Sequence, residues 1–146
     1  MPPAVQLKQW ERISMNQLLG TGVTSMAVGM VMMQESFGQN FDQGLQHFTW
    51  GAINTTIASL AIRGISKRDY DKLNIQERTH YLQRILGINS LLDVLYVGAG
   101  TALILTNQDH LMGHGRGILV QGSCLLAFDA FHYFRIRRMK KEILRF

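Results

Sequence analysis

Apolar positions fall into four blocks with polar stretches between them: Ile13–Met33, His47–Ile65, Tyr81–Leu105 and Ile118–Ile136. Each block is about 19–25 residues long, the length a helix needs to cross roughly 30 Å of hydrocarbon. None contains proline. A soluble four-helix bundle needs a charged face on every helix. Leu18–Met33 and Ile88–Leu105 offer no such face. The pattern predicts an all-α fold, an integral membrane four-helix bundle forming one transmembrane domain over residues 1–146. Its helices are expected near 13–33, 47–65, 81–105 and 118–136.

The stretches between the blocks add detail. Asn74 and Glu77 read as a capping box that starts the third helix before its apolar block. Ser66 and Asp69 read as a second one, for a short surface helix. The segment QDHLMGHGRG is punctuated by glycine and is expected to be an irregular loop. In the tail 136–146, Ile136, Met139, Ile143 and Phe146 share one helical face. The tail is therefore expected to turn along a lipid surface, with Arg135, Arg137, Arg138, Lys140 and Lys141 reaching the headgroups. A faint repeat also runs through the chain. MNQLLG resembles INSLLD, and AIRGISKR resembles HYFRIRRM, both at a spacing of about 72 residues. Two hairpins of the same orientation would make this a parallel repeat.

Charge orients the bundle. If all four blocks span, Arg116 alone of the 15 basic residues falls on one side. Lys8, Arg12, Lys67, Arg68, Lys72, Arg78 and the tail through Arg145 fall on the other. Basic residues favour the cytoplasmic side, so both termini are expected there. The excess charge of +5 then faces anionic lipid headgroups. No nucleic-acid motif accompanies it, so nucleic acid is not an expected partner.

Several polar residues lie inside the blocks. Counted from the cytoplasmic end at about 1.5 Å per residue, Asp93 is roughly 18 Å deep, level with Asn54 and Thr24. By the same count Asn89 levels with Asp129, Asn16 with His132, and Trp50 and Tyr96 with Gln121. Asn89, Asp93 and Tyr96 share one face of helix 3, and Asn16 and Thr24 share one face of helix 1. Polar groups facing lipid are costly, so Asn16, Thr24, Trp50, Asn54, Asn89, Asp93, Tyr96, Gln121, Asp129 and His132 are expected to form an inward polar core. Neither Asp has a basic partner at its depth. Each is expected to carry its proton, to meet water or to bind a cation. His132 is three residues from Asp129 and is its expected neighbour. Asp93 is expected near Asn54.

Other chemistry is thin. Cys124 is the single cysteine, which rules out an internal disulfide. His47, His110 and His114 lie on the outer side near Glu35, Asp42 and Asp109, a weak metal-ligand set. His80 and His132 are the nearest approach to a haem pair. No metal or haem cofactor is favoured. With no nucleophile–base arrangement and no phosphate loop, no enzyme is expected.

INSLLD and QGSCLLAFDAFHYF, within this four-helix layout, resemble small uncharacterised bacterial membrane proteins of a family without assigned function. The resemblance implies a bacterial inner-membrane location and four spans, and it carries no activity. Three functional classes stay open. The first is a self-associating or accessory membrane module, working as a homo-oligomer or with a membrane partner. The second is a small channel or transporter for protons, cations or a small polar solute, using Asp93, Asp129 and His132. The third is a metal- or haem-binding membrane protein.

Overall fold

A computed structural model of the chain describes residues 2–34, 37–71 and 73–143. Glu35, Lys72, Arg145 and Phe146 lie outside the described residues, as does the side chain of Ile143. The described residues form four α-helices and no strand: α1 (Pro3–Met32), α2 (Gln39–Lys67), α3 (Ile75–Ile104) and α4 (Asp109–Ile143). Their ends follow local chemistry. Proline opens α1, where its missing N–H is no loss. Gly38 precedes α2 at φ 108°, a conformation glycine adopts without strain. The Asn74 side chain caps α3 by accepting from the Glu77 backbone N–H at 3.1 Å. Asn107, at φ 56°, makes the turn into α4.

Every helix starts earlier than its apolar block. α1 starts at Pro3 rather than near Ile13, α2 at Gln39 rather than His47, α3 at Ile75 rather than Tyr81, and α4 at Asp109 rather than Ile118. The blocks mark only the apolar part of each helix. Three local expectations are corrected. QDHLMGHGRG is helical from Asp109 onward, because its glycines are packing positions. A Cβ on Gly113 would stand 2.7 Å from the Gln39 carbonyl oxygen, and one on Gly117 2.5 Å from the Gln46 Cβ. No short helix follows Ser66; α2 ends at Lys67 and the chain turns extended at Arg68. The tail does not turn aside, since α4 runs unbroken to Ile143.

α1 packs along α2, and α3 along α4; the two hairpins join mainly through α2 and α4. Glycine pairs hold each hairpin close. A Cβ on Gly29 would lie 2.6 Å from the Gly44 carbonyl oxygen, and one on Gly100 2.9 Å from that of Gly115. The sequence offset from Gly29 to Gly100 equals that from Gly44 to Gly115. The two hairpins thus repeat a packing contact at matched positions.

Burial is inverted along much of the bundle. Asp42, His47, Asn54, Asp93, Gln121, Asp129 and His132 are buried, while Val31, Leu60, Leu91, Leu95, Phe131 and Phe134 are exposed. An apolar core gathers at the end that holds the N-terminus, built from Leu7, Trp10, Ile65, Tyr70, Leu86 and Ile136. Among the described residues only α3 is both long enough and apolar enough over 18 residues to cross a membrane by composition.

Candidate functional site

α3 and α4 run antiparallel, and their facing sides bring two acids together. The side chains of Asp93 and Asp129 come within reach of each other across this contact, and Asn89 lies beside Asp129 in the same cavity wall. Asn89 and Asp93 are one helical turn apart on α3, so both can reach the same side chain of α4. A cavity of about 240 Å³ adjoins the pair, and Asn54, Trp50 and Tyr96 also line it. Among the described residues no Lys or Arg lines it.

Two further cavities meet this one. A space of about 530 Å³ opens toward the N-terminal end and shares Asn89, Asp129 and Phe128 with it. A space of about 310 Å³ on the other side shares Asn54, Leu125 and Phe128. Among the described residues three buried polar atoms have no protein partner: Asp93 Oδ2, His132 Nδ1 and Trp10 Nε1. All three belong to residues lining the first two cavities. Buried groups of this kind need water or a ligand, and such volumes hold several waters at about 30 Å³ each.

Polar pairs continue above and below. Gln121 Nε2 donates to Ser25 Oγ at 2.6 Å and to His47 Nδ1 at 2.5 Å. Ser25 Oγ in turn donates to the His47 carbonyl at 2.9 Å. His132 Nε2 donates to Gln17 Oε1 at 3.0 Å, and Trp10, Phe128 and Phe131 surround the ring. At the N-terminal end Glu11 is buried and ion-paired to Arg68 and Arg78.

Of the expected polar core, Asn54, Asp93, Gln121, Asp129 and His132 are buried, and Trp50 and Asn89 are half-buried. Tyr96 is more exposed, yet its ring packs edge-on against Trp50 at 5.0 Å. Asn16 is corrected, being exposed; Thr24 is exposed as well but lines the 310 Å³ space with Ser25, Asn54 and Gln121. The inward face of α1 carries Glu11, Ser14, Leu18, Gly22 and Gly29 instead. α1 must turn Gly22 and Gly29 toward α2 to let the backbones meet, which leaves Asn16 outward. The expected rungs shift as well. Asp93 meets Asp129 and shares a cavity with Asn54 as expected, whereas Thr24 lines a different space and His132 bonds Gln17 rather than Asp129. Side chains tilt along their helices, so pairs differ from simple depth matching.

Gln17, Ser25 and Glu11 are not among the residues that the sequence singles out, and Asp42 stands there only in a wider set with His47, Glu35 and Asp109. The seven-residue spacing of Gly22 and Gly29 was the available signal for the first two. Cys124 is exposed and lines the 310 Å³ space. Arg135, Arg137 and Arg138 are exposed on α4, and Lys140 donates to His80 Nδ1 at 2.9 Å. His47 sits with Ser25 and Gln121, apart from the outer pair His110 and His114. Those two face Asp42.

The chain belongs to a family of unknown function, DUF6992, whose model matches residues 17–130. No curated protein matches it. No solved structure matches it either.

Proposed function

We propose that this protein is a four-span inner-membrane module that takes up and passes protons through the Asp93–Asp129 pair. The observation that carries the reading is the pair itself. Two neighbouring carboxyl groups can share one proton, and this pair lines a cavity with no Lys or Arg among its described residues, while Arg68 and Arg78 line the larger space that Asp129 also borders. Asp93 Oδ2 is buried and without a protein partner. An unpaired buried acceptor costs about 1–3 kcal/mol, so this oxygen calls for a water or a ligand. A proton path needs such an atom, since it is where a water attaches.

The inverted burial supports the membrane part. α1, α2 and α4 miss the composition expected of a span because of their Gly, Thr, Asn and Gln residues. Several of these are turned inward, as at Gly22, Gly51, Asn54 and Gln121, and the outer surface is rich in Leu, Val and Phe. Lipid accepts that outer surface, and small inward residues are what close helix packing in lipid uses. The basic residues at the N-terminal end favour a cytoplasmic location for both termini, and the family resemblance favours a bacterial inner membrane. Anionic headgroups are the surface that Arg135, Arg137, Arg138, Lys140 and Lys141 would meet. The test is proton flux into liposomes under an imposed potential. Wild-type protein should acidify the lumen, and Asp93→Asn should fold normally yet lose most of the flux. Equal flux from both would refute the reading.

A second reading, a self-associating or accessory module, rests on the outer face of α3. Leu91, Leu95 and Gly98 align there, exposed, and Gly98 has open space around it. A discrete dimer mass in detergent, lost in Gly98→Leu, supports it; a strict monomer counts against it.

A further inference from the structure

We infer that Asp42, His110 and His114 form a binding site for a first-row divalent metal ion, with zinc the best match. Asp42 lies in the first turn of α2 and is buried. His110 and His114 lie one turn apart on α4, the spacing that puts two imidazoles on one helical face. Asp42 Oδ2 is 2.7 Å from His110 Nδ1, and Asp42 Oδ1 is 3.6 Å from His114 Nε2. One ligand atom from each residue lies within 4.8 Å of the others. Ligands about 2.0–2.2 Å from a zinc ion fit inside such a cluster.

The surroundings favour a metal over a plain ion pair. Two histidines are turned on a single carboxylate, their rings 4.7 Å apart. Charge attraction to the carboxylate needs a cationic ring, and two cationic rings at this distance would repel each other. A metal instead binds both in the neutral form. Gln46, one turn beyond Asp42 on α2, lies 3.0 Å from His114 Nδ1. Its amide can present oxygen as readily as nitrogen, so it can accept from Nδ1–H and leave Nε2 to the ion. A second partner that fixes the ring in this way is the usual companion of a histidine ligand. The frame is also held tightly. A Cβ on Gly113 would lie 2.8 Å from the Asp42 Cβ, so glycine lets α4 bring both histidines onto α2. Two nitrogens and one carboxylate suit zinc and its first-row neighbours better than calcium or magnesium. His110 is 72% exposed, which gives the ion a way in and leaves room for an exogenous ligand.

The site is independent of the proton reading, because Asp42 lies about 18 Å from Asn54 along α2. The experiment uses the full chain, metal-stripped and free of any histidine tag. Titration with Zn²⁺ by calorimetry should saturate at one ion per chain. His114→Ala and His110→Ala should each weaken binding about tenfold or more, while Gln46→Ala should weaken it less. Co²⁺ in place of Zn²⁺ should give visible ligand-field bands that change in His114→Ala. Asp93→Asn should bind Zn²⁺ as wild type does. Wild-type binding no tighter than that of the His110→Ala/His114→Ala double variant would overturn the proposal. His110 is mostly exposed, so its variant keeps the test valid even where Asp42→Asn fails to fold.

Discussion

Glu11 and Arg78 form a two-point ion pair: Arg78 Nε donates to Glu11 Oε1 at 3.0 Å and its Nη2 to Oε2 at 3.1 Å. Arg68 holds the same carboxylate at 2.8 Å. One buried acid on α1 thereby ties the connector between α2 and α3 to the end of the bundle. Glu11→Ala removes the acceptor for both guanidinium groups. It should cost roughly 2–3 kcal/mol, read as a lower unfolding midpoint in detergent. An unchanged midpoint would mean that water replaces Glu11 without loss.

The glycines separate into two kinds, with opposite signs on substitution. Gly100→Ala would put a Cβ 2.7 Å from the Leu119 backbone nitrogen, and it should destabilise by roughly 1–3 kcal/mol. Gly98 has open space, so Gly98→Ala should stabilise by up to about 1 kcal/mol through helix propensity. Thermal unfolding of both variants checks the contrast. Equal effects would contradict the close α3–α4 approach.

These glycines also show where sequence reading stops. The inward stripe of α3 was legible, since Asn89 and Asp93 are the polar positions of an otherwise apolar block. The buried face of α1 lies about half a turn from the one that Asn16 and Thr24 suggest, because Gly22 and Gly29 mark it and carry no polar signal. Glycine marks loops and close helix contacts alike, so the segment holding Gly113, Gly115 and Gly117 was read as a loop. His110 and His114 are legible as neighbours of Asp42, but a loop gives the two no shared helical face. The meeting of Asp93 with Asp129 depends on the register between two helices, which no local pattern in either one encodes.

Tyr70 supplies the pH dependence. Burial pushes its phenol above the ordinary value of 10.0, and the Glu11 charge adds to the shift. The folded state therefore holds the Tyr70 proton more tightly than the unfolded chain does. That contribution to stability is complete below the unfolded value and is lost as pH rises through the folded one. Phenolate absorbance should show one late-titrating tyrosine, absent in Tyr70→Phe. A Tyr70→Phe titration curve that keeps the late component would contradict the assignment.

Topology is checked with reporters in the turn and the tail. Gly44 is packed against Met32 and Met33, so an insertion there would break the α1–α2 contact. Gly38, in the turn with open space around it, is the better site. A reporter after Gly38 should be active only in a periplasm-sensing format, and one after Phe146 only in a cytoplasm-sensing format. Reversed activities would invert the orientation. Cytoplasmic activity at both sites would remove the membrane reading.

The central claim is that Asp93 and Asp129 work as one proton-holding unit. The most direct measurement is proton flux in liposomes for wild type, Asp93→Asn, Asp129→Asn and the double variant, each checked for native helix content. Groups that act as a unit lose function non-additively. Each single variant should therefore lose about as much flux as the double variant. Additive losses, or wild-type flux in either single variant, would contradict the account.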